Sequence, residues 1–161
     1  MRTRTLLLSS VLLAACSRTE SPAATAAPVQ AEAPLVKAAA EPPSPKVEDN
    51  TFRLALVGPA EYTAGQAGSL KLTLEALGGY HVNQDYPIRV DVKAPPEVKL
   101  EKVSLGKADA AQFGEQQARF ELPFSASAGA HDLTATVDFA VCTKETCVPD
   151  TRTVALALQA R

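Results

Sequence analysis

Two thiols lie close together near the C-terminus, in the segment Cys142-Thr-Lys-Glu-Thr-Cys147-Val-Pro149, and a third, Cys16, lies near the N-terminus. Thiols bind metals, lock two parts of a chain together as a disulfide, or exchange electrons by making and breaking that bond. Four polar residues, Thr143 to Thr146, separate Cys142 from Cys147 and suit a turn. The pair could then face each other across a hairpin mouth, within the reach a disulfide requires. On the chain-entropy model, closing so short a loop stabilises a domain by about 2 kcal/mol, the low end for a disulfide. Accessible short-range disulfides are readily reduced and exchanged, yet exported proteins also carry many short structural ones. The spacing by itself leaves a redox centre and a structural staple both open. Lys144 would favour a thiolate and Glu145 would oppose it, though charged turn residues are more commonly just solvated.

Metal chemistry finds little support. His81 and His131 are the only histidines, and the single methionine is Met1. A blue-copper site wants two His and a Cys, usually with an axial Met, and no zinc-binding spacing is present. No metal and no other cofactor is expected.

Cys16 has a different setting. Arg2 and Arg4 precede a short apolar stretch that ends in Leu13-Ala14-Ala15-Cys16. A charged start, a short apolar middle and small residues before a cut describe a signal peptide, and the stretch is too short to span a bilayer. The final four residues match a lipobox, so residues 1–15 read as a lipoprotein leader and Cys16 as the lipidated residue. Several acyl chains give stable anchoring. The mature protein is expected in the cell envelope, held to a membrane and facing the periplasm. Ser17, where an Asp would signal inner-membrane retention, leans toward the outer membrane. Loss of Arg2 and Arg4 moves the formal charge from −2 to −4. A mildly acidic protein without a basic patch is not expected to bind nucleic acid.

Residues 16–50 are rich in Ala, Pro, Ser and Glu, as in Pro42-Pro43-Ser44-Pro45. They cannot bury enough apolar surface to offset their ordering entropy and read as a disordered tether of about 110 Å at full stretch. Residues 51–161 alternate with period two. Phe52, Leu54 and Leu56 share a face, as do Leu70, Leu72 and Leu74, and Ile88, Val90 and Val92. Val98, Leu100 and Val103 follow, with an irregularity expected before Val103, then Phe120, Leu122 and Phe124. Leu133 to Val141 is the longest run, and Val154, Leu156 and Leu158 close the chain. Such alternation marks half-buried strands. About seven of them, punctuated by Gly58-Pro59, Gly78-Gly79, Pro95-Pro96 and Gly129, predict an all-β, immunoglobulin-like antiparallel sandwich. Pro123 implies an edge or a bulge. In the longest run Cys142 falls on the face of Thr134, Thr136 and Asp138, turned away from the core toward solvent or a covering loop.

Residues 51–158 resemble the N-terminal periplasmic domain of the thiol:disulfide interchange protein DsbD. The likeness is carried by the Leu122-Pro123 strand, the Ala128-Gly129 turn, a long strand ending in Cys142, the nearby Cys147, then Pro149 and Thr151-Arg-Thr-Val. Gly79-Tyr80-His81-Val82-Asn83 resembles that family's Gly-Tyr-His-x-Asn turn. The resemblance implies an immunoglobulin-like fold whose two cysteines cycle between dithiol and disulfide. Electrons would come from a thioredoxin-like or membrane electron-transfer protein and pass to oxidised envelope proteins. It also implies a cap loop over the disulfide, matched by position to Phe113-Gly114. Without the family, Phe113 reads as a stray aromatic or one tucked into the sandwich end. Tyr80, His81 and Pro149 become neighbours of the pair. His81 could assist proton transfer, since imidazoles titrate near neutral pH, although such a histidine is more often a structural residue.

The chain departs from the family pattern in three places. Ala111 and Gln112 precede Phe113 where acidic residues are common, with Asp109 the nearest acid, and a single proline follows the second cysteine. The family's membrane-spanning and thioredoxin-like parts do not follow, and there is no Cys-x-x-Cys. The expectation is a lipid-anchored interchange domain, an oxidoreductase component without an electron source of its own. The competing reading is an immunoglobulin-like binding or scaffold lipoprotein with a purely structural disulfide.

Overall fold

The computed structural model describes residues 44–161, so the leader, Cys16 and most of the expected tether lie outside the described residues. Eleven strands form two antiparallel sheets. In the first sheet β1 (Lys46–Glu48), β2 (Phe52–Val57), β3 (Gly68–Ala76), β9 (Gln117–Ala126) and β6 (Val98–Leu100) lie side by side, and β8 (Gln112–Phe113) also pairs with β9. In the second, β11 (Cys147–Ala160), β10 (Gly129–Cys142), β5 (Arg89–Lys93) and β7 (Ser104–Gly106) follow in that order, and β4 (His81–Val82) pairs with the end of β10. Among the described residues, helical structure is confined to a 3-10 turn at Lys107–Asp109. The expected all-β immunoglobulin-like sandwich is what forms.

Each long strand turns its alternate apolar residues inward, as the period of two requires. Leu54, Leu56, Leu70, Leu72, Phe120 and Leu122 from one sheet meet Val90, Leu133, Val137 and Phe139 from the other, all buried. Phe52 of β2 and Phe139 of β10 join the sheets edge to face, with ring centroids 4.8 Å apart, an arrangement worth about 0.5–1.5 kcal/mol beyond area burial. The core is complete without the cysteines: Val141 belongs to it, whereas Cys142, one residue on, does not.

Several expectations need correction. The seven predicted strands are present, joined by β1, β4, β7 and β8, whose two or three residues are too short to show a period. Val103 is not a core residue but 59% exposed; the chain bends after β6, and Leu105 of β7 takes the buried place. Pro123 lies in a strand flanked on both sides. Its carbonyl accepts from the Glu101 N–H at 3.4 Å, which puts its ring nitrogen on the side away from β3, where β9 passes from β8 to β6. A local break in the ladder accommodates the proline as an edge would. The segment from residue 44 to 50, read as part of the tether, belongs to the sandwich: β1 pairs with β2, and Ser44 accepts the Ala155 N–H of β11 at 2.9 Å.

β1 is held by charge as well as by backbone pairing. Glu48, Arg53 and Glu75 stand opposite one another on β1, β2 and β3. Arg53 donates to both Glu48 oxygens, from Nε at 2.7 Å and Nη2 at 3.1 Å, and from Nη1 to Glu75 at 2.9 Å. The hydrogen bonds from Arg53 to Glu48, with one from Lys46, hold the Glu48 carboxyl down at about 2. A carboxylate depressed in the folded state stabilises it above its unfolded value, about 4.3. That contribution is lost as pH falls through the folded value. The protection factor of the Leu56 N–H, which bonds to the Pro45 carbonyl, should therefore fall progressively between about pH 4 and pH 2, while that of Leu72 in the core is kept. Amide hydrogen exchange followed by NMR measures both.

Candidate functional site

Cys142 ends β10 and Cys147 begins β11, directly opposite in register. The turn between them is closed by the Thr143 N–H on the Thr146 carbonyl at 2.8 Å, and the Thr143 hydroxyl accepts the Glu145 and Thr146 amides at 3.2 Å each. Antiparallel pairs alternate between hydrogen-bonded positions and closer, non-hydrogen-bonded ones. The Ala155 N–H points off β11 to Ser44, and the Ala140 carbonyl points off β10 to the Asn83 N–H at 2.9 Å. With an unbroken register, residues of that parity, Cys142 and Cys147 included, form the non-hydrogen-bonded rows. Their Cα atoms are 4.0 Å apart and the sulfurs are bonded.

Directly opposed residues share a face. His81 on β4 faces Cys142 from the other side, so His81, Cys142 and Cys147 form one row on the outer face of the second sheet. The next row is Asn83, Ala140 and Pro149. Pro149 sits where β11 would turn an N–H away from its neighbour, a position an edge proline fits and one that denies a donor to a passing strand. Tyr80 precedes His81, alternates to the inner side and packs against the core. Gly78 and Gly79, at φ +61° and +83°, make the turn that returns the chain into β4. A side chain at Gly78 would clash with the Asn50 carbonyl oxygen.

The two cysteines differ in exposure. Cys142 is 2% exposed, whereas Cys147 lies open at the strand end. The outward direction read from the alternation holds, and the covering loop is the segment after β4. Asn83 Nδ2 lies 3.3 Å from Cys142 Sγ and 3.7 Å from Cys147 Sγ. Asn83 Oδ1 accepts the backbone N–H groups of Asp85 at 2.8 Å and Tyr86 at 3.2 Å, a local turn that asparagine makes readily.

Phe113 lies on β8, opposite Ala118 of β9 in the first sheet, and packs half-buried against the core. Two links tie its turn to the cysteine end. The Val82 N–H donates to the Glu115 carbonyl at 2.7 Å across the free side of β4. Lys107 Nζ sits 5.1 Å from the Phe113 ring centroid and donates to the Gln84 carbonyl at 2.7 Å. Gly114 follows in the same turn, its N–H on the Gln117 carbonyl at 3.0 Å. The hydrogen bonds that reach the sulfurs come from Asn83. His131 is far away: it lies eleven positions from Cys142 along β10, about 37 Å at strand rise, and bonds to the Ser127 carbonyl. Two histidines and a cysteine cannot meet around one metal within this chain.

Asn83 stands in the Gly-Tyr-His-x-Asn turn with no contact evident from the sequence, and no motif singles out Lys107 or Gln84. The run Asn83-Gln84-Asp85 signals a side-chain-capped turn. Nothing local signals that its amide would meet residues 59 and 64 positions away.

The family model described as "Thiol:disulfide interchange protein DsbD, N-terminal" matches residues 53–159, two thirds of the chain and nearly all of the sandwich. No curated protein matches. A solved structure titled "Crystal structure of GAE domain of GGA2p from Saccharomyces cerevisiae" is similar at 12% identity and TM-score 0.45, over 69% of this chain and 95% of that one.

The difference in exposure has a direct consequence for the reduced protein. Iodoacetamide should modify Cys147 at least about tenfold faster than Cys142, because reactivity needs access as well as thiolate. Peptide mass spectrometry after a short pulse reads the ratio, and equal rates would show that Cys142 is not shielded.

Proposed function

The chain belongs to the family of DsbD N-terminal domains, and on that premise we propose that it is a lipid-anchored interchange domain of the cell envelope. It passes electrons between a thioredoxin-like or membrane electron-transfer protein and oxidised envelope proteins. Thiol–disulfide interchange is what membership of the family implies, and a joined Cys142–Cys147 pair is present to perform it. Anchoring through Cys16, and outer-membrane residence, are supported by the lipobox and by Ser17.

The observation that carries the reading is the inequality of the two sulfurs. An incoming thiolate attacks a disulfide sulfur through a mixed-disulfide intermediate. Cys147 is the exposed residue of the pair. A donor thiolate forms a bond to Cys147 Sγ, and the Cys147–Cys142 bond breaks. Cys142 Sγ leaves with the electron pair and is later protonated. The donor's second thiolate then attacks its own sulfur in the mixed disulfide and releases Cys147. The donor ends as a disulfide and this domain as a dithiol, two electrons having moved. The same steps in reverse reduce an envelope substrate. Phe113-Gly114 fits the cap in this scheme. Its support is the tie of its turn to β4, beside Cys142, and the Lys107 link to Gln84. Opening it would break the Val82–Glu115 and Gly114–Gln117 hydrogen bonds, the short β8–β9 pairing and the contacts of the Phe113 ring with Lys107 and the core, which a docking partner would have to replace.

A structural staple is less well supported, because the core closes without the cysteines. Replacing both by serine should leave a folded protein about 2 kcal/mol less stable and without exchange activity. Trapping separates the roles. A thioredoxin-like donor whose second cysteine is changed to serine, and whose remaining thiol is carried as its mixed disulfide with thionitrobenzoate, should form a lasting mixed disulfide with Cys142→Ser, releasing thionitrobenzoate, and far less with Cys147→Ser. Mass spectrometry identifies the linked peptide. Equal trapping by both variants, or none by either, would overturn the reading.

A further inference from the structure

We propose that Asn83 is a catalytic residue of the exchange: its side-chain amide donates a hydrogen bond to the thiolate that Cys142 becomes when the disulfide opens. The proposal rests on the exchange reading above and adds a residue to it.

The orientation of the amide is determined by its other partners. An amide oxygen accepts and an amide nitrogen donates. The Asp85 and Tyr86 N–H groups occupy Oδ1, so Nδ2, with its two hydrogens, is the end facing the sulfurs. The Asn83 N–H on the Ala140 carbonyl fixes the backbone beside the disulfide. The donor is therefore held in place before any bond breaks, and needs no rearrangement to act.

Its effect differs between the two redox states. A disulfide sulfur is neutral and a weak acceptor, so the contact does little for the oxidised form. A thiolate carries a full charge, and hydrogen bonds to charged groups are about twice as strong as neutral ones. Stabilisation that grows as charge develops lowers the barrier. At 2% exposure Cys142 has little water to take the place of the amide. When the bond breaks, the electron pair settles on Cys142 Sγ; Asn83 keeps its protons throughout. In the return direction the same contact maintains Cys142 as the thiolate that attacks the mixed disulfide at Cys147.

Other groups near the pair do not substitute for it. The titratable side chains around Cys142 are His81 on β4, Lys144 and Glu145 in the turn, Asp85 beyond Asn83, and Lys107 and Glu115 on the Phe113 side. The Glu145 carboxylate accepts from the Thr143 hydroxyl at 3.2 Å, and Lys107 is directed to Gln84. Among the described residues, the side chain within hydrogen-bond distance of both sulfurs is a neutral amide.

The test uses the full chain carrying Cys147→Ser, so that Cys142 ionises without a coupled neighbour. Its labelled Cβ is followed by NMR against pH, which separates it from Cys16. Asn83→Ser keeps a turn-forming oxygen but is too short to reach the sulfur; Asn83→Asp keeps the turn and puts a carboxylate there. The Cys142 midpoint should rise by about one to two pH units in Asn83→Ser, and further in Asn83→Asp. With both cysteines present, the same substitutions should slow reduction by dithiothreitol about three- to tenfold, since a less acidic thiol leaves more slowly. Where Asn83 is retained, its side-chain amide protons should shift with the Cys142 midpoint, a signature that needs no Asn83 variant to fold. An unchanged midpoint in folded Asn83→Ser, or amide protons that ignore the titration, would overturn the proposal. Failure of the exchange reading looks different: no mixed disulfide with a thioredoxin-like donor, while the Cys142 shift persists.

Discussion

One pairing governs this molecule: Cys142 and Cys147 occupy directly opposed, non-hydrogen-bonded positions on the last row of the β10–β11 ladder. That row brings side chains closest together, so the sulfurs join without the backbone leaving its sheet. A slip of one residue in either strand would move one cysteine to the inner face. The register that prevents a slip is set along the whole of both strands, by the core residues Leu133, Ala135, Val137 and Phe139 facing inward from β10. The sandwich thus acts as a jig for a bond at its end, and the bond is not what holds the sandwich together.

The same row creates the inequality between the sulfurs. β10 is an inner strand at this end, with β4 on one side and β11 on the other. Cys142 is consequently hemmed in by His81, Asn83 and the loop that follows. β11 is an edge, so Cys147 has neighbours on one side only. An asymmetric disulfide has a defined sense of attack, with an outer sulfur to receive the nucleophile and an inner one to leave. Pro149 guards the adjoining edge against unspecific strand pairing and leaves the sulfur as the feature a partner can engage.

The long strands were legible because alternation is a direct imprint of burial on one face. The run from Leu133 to Val141 showed both the core side and the outward direction of Cys142. Burial of Cys142 on that outer face was not legible, because its cover comes from β4, two residues long and reached through the Gly78-Gly79 turn. Asn83 was visible as a turn residue, yet its sulfur partners are set by tertiary pairing between distant segments. The three-residue step from Leu100 to Val103 signalled an irregularity, and the chain does bend after β6, but it is Leu105 and not Val103 that takes the buried place. β1 hid inside a proline-rich stretch because a three-residue strand held by backbone bonds and the Glu48–Arg53 pair leaves no hydrophobic period. Phe113 was placed near the site by resemblance alone; its ring lies against the core, joined to the cysteine end through Lys107 and the Glu115 carbonyl.

A redox carrier's disulfide opens and closes while its sandwich stays folded. Equilibrating the protein in glutathione buffers of graded potential, with NMR reporting the oxidation state of Cys142 and the core signals of Phe139 together, tests it most directly. An exchanging pair should titrate as a two-electron couple with a midpoint between about −180 and −270 mV, in the range of thiol–disulfide carriers, with the Phe139 signals remaining those of a folded core. A bond that stays closed below about −300 mV, or that opens only as the Phe139 signals collapse, would identify a structural staple and contradict the proposed electron transfer.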